Sequence, residues 1–246
     1  MNLARRRMLA LAGMASIPAG FASAADLSID QVKALLQGAS PSKPADLAGK
    51  DLSDLDFSNV DFRHADLRGT SFFGSKLVEA DFRGARLSGA LLNGAYLMGT
   101  NFTGADLTGA SLLSIVVLGG AVKKLPIFRG ANLSGVKLIG DLPGADLSGA
   151  NLTGIKAGVN IKNQGMGQMR TDLTSANLEG AVMTGGDFGR SLMRFARLRG
   201  ADLTGADVTG ADFTEADLAD AVFRDVKGYD KAVGLAQAEN VDKIVR

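Results

Sequence analysis

Residues 65–69 read Ala-Asp-Leu-Arg-Gly and residues 105–109 read Ala-Asp-Leu-Thr-Gly, and between and around them a Leu or Phe returns at every fifth position. One register runs through Leu47, Leu52, Phe57, Phe62, Leu67, Phe72, Leu77, Phe82, Leu87, Leu92, Leu97, Phe102, Leu107 and Leu112, with Val117 and Val122 in phase behind it. The phase returns at Leu133 and Leu138, then at Leu142, Leu147 and Leu152, and last from Leu173 to Phe223. Two positions before each of these residues there is commonly Ala or another small residue. A period of five fits neither the 3.6 of a helix nor the 2.0 of a strand, so neither can keep all these side chains on one buried face. The chain must turn about once per repeat.

The recurring Ala-(Asp/Asn)-Leu-x-x unit resembles the pentapeptide-repeat family over about three-quarters of the chain. That resemblance implies an all-β fold, a right-handed quadrilateral parallel β-helix with four pentapeptides per coil and residues 20 apart stacked vertically. The Leu or Phe and the small residue two before it then fill the interior, and the Asp or Asn between them faces outward. Coils stacked at roughly 4.8 Å, the spacing of hydrogen-bonded strands, make about nine coils a rod of about 43 Å. The open ends of such a solenoid need covering, because each coil buries little alone.

Four segments follow from this reading. Residues 1–24 carry Arg5, Arg6 and Arg7, an apolar stretch from Met8 to Ile17 and Ala22-Ser23-Ala24, the pattern of a signal peptide that directs the chain to the periplasm. The apolar stretch is short of the roughly 20 residues of a membrane span. Arg5-Arg6-Arg7 also resembles a twin-arginine signal, although the usual flanking residues are missing. Residues 25–43 predict an N-terminal cap helix, with Ser28 and Gln31 as a capping box, Val32, Leu35 and Leu36 as the apolar face and Gly38 at the end. Residues 44–227 are the repeat, interrupted by expected loops near 119–130, 139–144 and 153–170. Residues 228–246 lose the period and carry a weak helical pattern, expected to cap the rod or to form a homodimer contact.

Composition narrows the function. The chain has 246 residues with 46% hydrophobic and 22% charged, 32 Gly and no Cys, so no disulfide holds it. The formal charge of +1 becomes −2 once Arg5, Arg6 and Arg7 leave with residues 1–24, since no acid precedes Asp26. A nearly neutral surface argues against nucleic-acid binding and against a strongly acidic, DNA-like surface. The family resemblance implies a further possibility, since some members mimic DNA and protect gyrase.

Outward positions usually filled by Asp, Ser or Thr hold Phe73, Leu91 and Leu113 on one side of the rod and Tyr96, Met98, Val116 and Leu118 on the neighbouring side. These seven form a candidate partner-binding patch, unless the 119–130 segment folds over them. Val182, Leu192 and Phe195 make a smaller group of the same kind. The 153–170 segment offers Met166 and Met169 as a candidate loop, whose thioethers suit Cu(I) or local packing. The carboxylates Asp46 and Asp66, or Asp61 and Asp81, stack one coil apart as a glycosidase pair would, but the repeat itself generates that spacing. His64 is the single histidine and, without Cys, cannot build a usual zinc site. Asn-x-Ser/Thr triplets such as 101–103 are likewise products of the repeat.

No cofactor, metal or catalytic group is therefore expected. The reading is a non-enzymatic exported scaffold or protein-interaction module with an unknown protein partner, no nucleic acid and no stable membrane insertion. The alternatives are a gyrase-interacting DNA mimic and a metal- or ligand-binding protein that uses the 153–170 loop.

Overall fold

The computed structural model describes residues 25–117, 124–159 and 170–246. The expected signal peptide lies outside them, as do Leu118, Val122, Met166 and Met169.

The described residues between Ala45 and Lys227 form an all-β solenoid of stacked coils. Parallel bridges join residues 20 positions apart, as in Asp56–Lys76, Asp61–Asp81, Asp66–Arg86 and Ser71–Leu91, so each coil consists of four pentapeptides. The ladder is made by paired bonds such as Leu67 N to Arg86 O at 2.8 Å and Arg86 N to Ala65 O at 3.2 Å. Within each unit a turn closes on itself: Thr70 N donates to Leu67 O at 3.1 Å around Gly69, whose φ of 66° is the third position of a type II turn. The pentapeptide thus supplies one inward residue, one turn and one rung. Most rungs are single bridges. Longer pairs form where β1 (Ala45–Asp46) meets β2 (Ala65–Asp66) and where β3 (Ser111–Ile115) meets β4 (Lys137–Gly140).

The interior is the column the periodicity requires. Leu67, Leu87 and Leu107 are fully buried and the other described register residues are buried, with Ala65, Ala85 and Ala105 packed two positions before them. Phe62, Phe82, Phe102 and Phe128 stack face to face at 4.6, 5.1 and 5.0 Å between centroids, and Phe57 and Phe72 meet this column edge-on. Where Ala is replaced by Ser or Thr the hydroxyl is satisfied by main chain: Thr70, Ser75 and Thr100 each donate at 2.7 Å to the carbonyls of Leu47, Leu52 and Leu77.

Helix α1 (Ile29–Gln37) starts at the expected box, Gln31 N donating to Ser28 Oγ at 3.3 Å and Ser28 N to Gln31 Oε1 at 2.8 Å. Val32 is buried in the solenoid core and Leu36 packs partly against it, whereas Leu35, expected on the same face, is 45% exposed. Asp26 ties the segment down: its amide donates to Asp51 O at 2.7 Å and its carboxylate accepts from Asp51 N at 2.8 Å.

Residues 119–123 and 160–169 of the expected interruptions lie outside the described residues, and the rest can be placed. In 119–130, the described residues are back on the solenoid by Lys124, whose carbonyl accepts from Gly99 N at 2.7 Å, and Phe128 is an interior residue. The 139–144 segment is not a loop. Lys137–Gly140 is strand β4, and its coil is one residue short, so bridges there join residues 19 apart, such as Lys137 and Lys156. In 153–170, Ile155 and Ala157 are buried and Val159 N still donates to Gly189 O at 3.1 Å, so the coil holds through Val159. Large and small residues have exchanged places there, Ile155 in the small position and Ala157 in the large one.

The C-terminal segment is not a helix but another coil. Val233, Glu239 and Val245 bridge to Asp212, Asp217 and Val222, and they follow one another at six-residue steps. Each side inserts a short 3₁₀ turn, at Tyr229–Lys231, Leu235–Gln237 and Val241–Lys243, preceded by a left-handed residue at Gly228, Gly234 or Asn240. The sixth residue lengthens the side without breaking its pairing.

Candidate functional site

Outward Asp and Asn have a structural task that explains their recurrence. Most bend back to accept the amide two residues on, as Asp61 does from Arg63 N at 2.9 Å, Asp106 from Thr108 N at 3.1 Å and Asn151 from Thr153 N at 3.0 Å. Many also hold an arginine. Arg63 Nη2 lies 2.6 Å from Asp61 Oδ2 with its Nε 3.5 Å from Asp81, and Arg68, Arg83, Arg129, Arg194 and Arg199 pair with Asp66, Asp81, Asp146, Asp212 and Asp217.

These contacts fix the electrostatics. The hydrogen bond from Arg68 holds the Asp66 carboxyl below the usual carboxylate range, and that from Arg63 does the same for Asp61. At Asp212 burial pushes upward, but the hydrogen bonds from Thr214 and Arg194 outweigh it and the carboxyl is again lowered. Carboxylates held ionised by donors on two sides are poor proton donors. Asp61 and Asp81 are thus rungs of an Arg-linked ladder, and Asp66, stacked on Asp46, is held by Arg68.

His64 sits exposed at a corner with φ of 62°, its carbonyl accepting from Ala45 N at 3.2 Å. It lines a cleft of about 610 Å³ between α1 and the first coil, together with Lys33, Leu36, Asn59, Val60 and Arg63. Among the described residues no three His, Cys, Asp or Glu side chains gather to hold a metal ion, and no helix is long and apolar enough to cross a membrane.

The apolar outward residues divide. Phe73, Leu91 and Tyr96 are 55, 44 and 39% exposed, and Leu113 and Val116 are half-buried. Met98, expected outward, is buried at 7% exposure. Its neighbour Gly99 is bonded to Lys124 O and has the Lys124 side chain beside it, so the returning chain crowds this corner. On one side of the solenoid Leu91 bridges Ser71 and Ser111, while Leu113 pairs with Ile139 and takes Asn93 Oδ1 on its amide at 3.0 Å. On the next side Tyr96 bridges Lys76 and Val116. In the smaller group Val182 and Phe195 are exposed, at 40 and 50%, Val182 on the Asn151–Val182–Asp202 ladder and Phe195 at a left-handed turn position, with Leu192 half-buried on another ladder.

Two features of this surface escape the periodic reading. Ile139, assigned by sequence to a loop, is a strand residue beside Leu113. Lys137 and Lys156 stack on one ladder, a juxtaposition hidden because they are 19 residues apart and not 20.

A family model described as pentapeptide repeats matches the chain in eight copies, over residues 45–74, 75–112, 127–155, 171–210 and 191–227. No curated protein matches. Among solved structures, HetL, a protein involved in heterocyst differentiation regulation from the cyanobacterium Nostoc sp. strain PCC 7120, is 24% identical with a TM-score of 0.50. The match covers 89% of this chain and 100% of HetL. Trypsin-treated QnrB1, a plasmid-mediated fluoroquinolone resistance protein, is 21% identical with a TM-score of 0.51 over 79% of this chain and 85% of its own. Likeness at these identities shows a shared fold.

Proposed function

Since the chain belongs to the pentapeptide-repeat family, we propose that it is a non-enzymatic protein-interaction module, exported to the periplasm by residues 1–24, that offers flat solenoid faces to a protein partner. The observation that carries this reading is the exposure of Phe73, Leu91 and Tyr96, the last two on ladders that carry Asp51, Ser71 and Ser111 or Asp56 and Lys76 on neighbouring coils. An interior packed solid with Leu, Phe and Ala leaves recognition to the outside of the rod. In its finer form the solenoid is a right-handed, four-sided coil, with α1 capping one end and the six-residue coil capping the other. The gyrase-directed alternative asks for a continuous acidic face, and Arg63, Arg83, Arg129 and Arg199 interleave with the aspartates here.

The test is fractionation and co-purification of the tagged full chain. The protein is expected in the periplasmic fraction with a partner that is lost on Phe73→Asp and on Tyr96→Asp. A cytoplasmic protein would overturn the export reading, and unchanged recovery by both variants would overturn the role of the patch.

A further inference from the structure

We infer that the side of the solenoid carrying Phe73 and Leu91 docks an acidic protein segment, apolar at one end and bearing carboxylates at the other; this rests on the protein-interaction reading above. One ladder on this side runs Ser71, Leu91, Ser111, Lys137, Lys156. Beside it runs Phe73, Asn93, Leu113, Ile139, linked by Gly74 N to Asn93 O at 3.0 Å, Gly94 N to Leu113 O at 2.9 Å and the Leu113–Ile139 pair. Apolar side chains therefore occupy successive coils and end against two stacked lysines.

These lysines lack the close aspartate partner that six arginines of the aspartate ladders have. Arg63, Arg68, Arg83, Arg129, Arg194 and Arg199 each have an aspartate within 3.2 Å. Among the described residues neither Lys137 nor Lys156 has a carboxylate within 4 Å, and both are exposed. Asp187 follows Lys156 on the ladder, but its Oδ1 accepts from Gly189 N at 3.0 Å. Two ammonium groups one rung apart repel each other unless an anion lies between them, and a carboxylate supplies it. At the opposite end of the stripe the ladder begins with Asp51. Between Asp51 and Lys156 the stripe therefore has an electrical direction, acidic beside Phe73 and basic beside Ile139, that orients what it binds, and Asp187 and Asp207 close it beyond the lysines.

Four coil steps of about 4.8 Å separate Phe73 from Lys156, or roughly 19 Å, which an extended segment of about six residues spans. Hydrophobic contact at Phe73, Leu91, Leu113 and Ile139 would supply most of the affinity, and the lysine pair would set selectivity and orientation.

The experiment titrates the full chain with a fluorescein-labelled hexapeptide of Leu, Phe and Leu followed by Ser and two Glu, read by fluorescence anisotropy at low salt. Binding is expected to weaken about tenfold in the double variant Lys137→Glu, Lys156→Glu, and comparably in Phe73→Ser, with melting temperatures unchanged. A peptide with Lys in place of both Glu should bind at least about tenfold more weakly. The inference fails if wild type shows no binding by about 1 mM, if the lysine reversal leaves affinity unchanged, or if the Lys peptide binds as well. It also fails if phosphatidylglycerol vesicles are bound and the peptide is not. Failure here is distinguishable from failure of the interaction reading. A partner lost on Phe73→Asp but kept by the lysine-reversed variant removes only the acidic class, whereas one kept by both removes the docking side itself.

Discussion

The rings of Phe102 and Phe128 stack 5.0 Å apart and 5° from parallel, although Phe128 follows Phe102 by 26 positions and not by 20. The solenoid thus takes six extra residues into one coil and restores the interior column at the next ring. Phe102 touches stacked rings on both sides, with Phe82 at 5.1 Å on the other. Truncating it leaves a hole that its neighbours cannot close. Phe102→Ala is expected to cost about 3–5 kcal/mol in urea unfolding, while Phe73→Ala, on the exposed side, stays within about 0.5 kcal/mol. Equal effects would contradict the assignment of one ring to the core and the other to the surface.

Two buried hydroxyls should differ in worth. Ser75 Oγ donates to Leu52 O, which accepts no other described main-chain or side-chain bond, whereas Leu47 O, the acceptor of Thr70, also takes Lys50 N at 3.2 Å. Ser75→Ala then strands a carbonyl and costs about 1–3 kcal/mol, and Thr70→Val about 1 kcal/mol. Denaturant midpoints of the two variants check the order.

The last coil depends on close approach. A methyl added at Gly234, where φ is 77°, would fall 2.5 Å from the Thr214 amide nitrogen and nearer still to its hydroxyl. At Gly200, with φ of 64°, nothing lies within 4 Å. Gly200→Ala is expected to cost about 1–2 kcal/mol from backbone conformation alone. Gly234→Ala should lower the melting temperature clearly further, because the 3₁₀ turn must also move off Thr214.

Acid should act late. Asp61 and Asp66 are lowered by hydrogen bonds from Arg63 and Arg68, and Asp212 is lowered by Thr214 and Arg194 against its burial. A carboxyl with a lowered folded pKa contributes stability that is complete above its unfolded value, about 3.9, and is lost as pH falls through the lower folded value. Stability measured by urea unfolding should therefore be insensitive to these groups between pH 5 and 8 and drop below about pH 4. In Arg68→Ala, the part owed to Asp66 should shrink. A fall already under way near pH 6 would show that other groups govern acid unfolding.

The interior was legible in the sequence because a period of five is written in side-chain size, and each register residue from Leu47 to Leu112 is buried. The 139–144 segment reads as a loop in the sequence because a change in coil length resembles a loss of phase. Counting back five from Leu133 reaches Phe128, so the return was visible there, and the single missing residue before Leu142 has the same explanation. Likewise Gly228-Tyr229, Gly234-Leu235 and Asn240-Val241 recur at a spacing of six, a signal hidden by searching only for five or for a helix. Of the candidate patch, Phe73, Leu91 and Tyr96 are exposed, but the burial of Met98 depends on the chain that returns at Lys124. The lysine stack depends on the residue lost between Leu138 and Leu142.

Among the described residues the inter-coil main-chain hydrogen bonds run along the length of the solenoid, and each coil is bonded to the coils on either side. Tension applied between the two ends therefore falls on one rung set at a time rather than on the molecule as a whole. Pulled in this way the protein should peel like adhesive tape, each regular coil releasing 20 residues, or about 70 Å of contour length, before the next one bears the load. A single rupture of the entire fold would imply that coils share load through contacts other than those rungs.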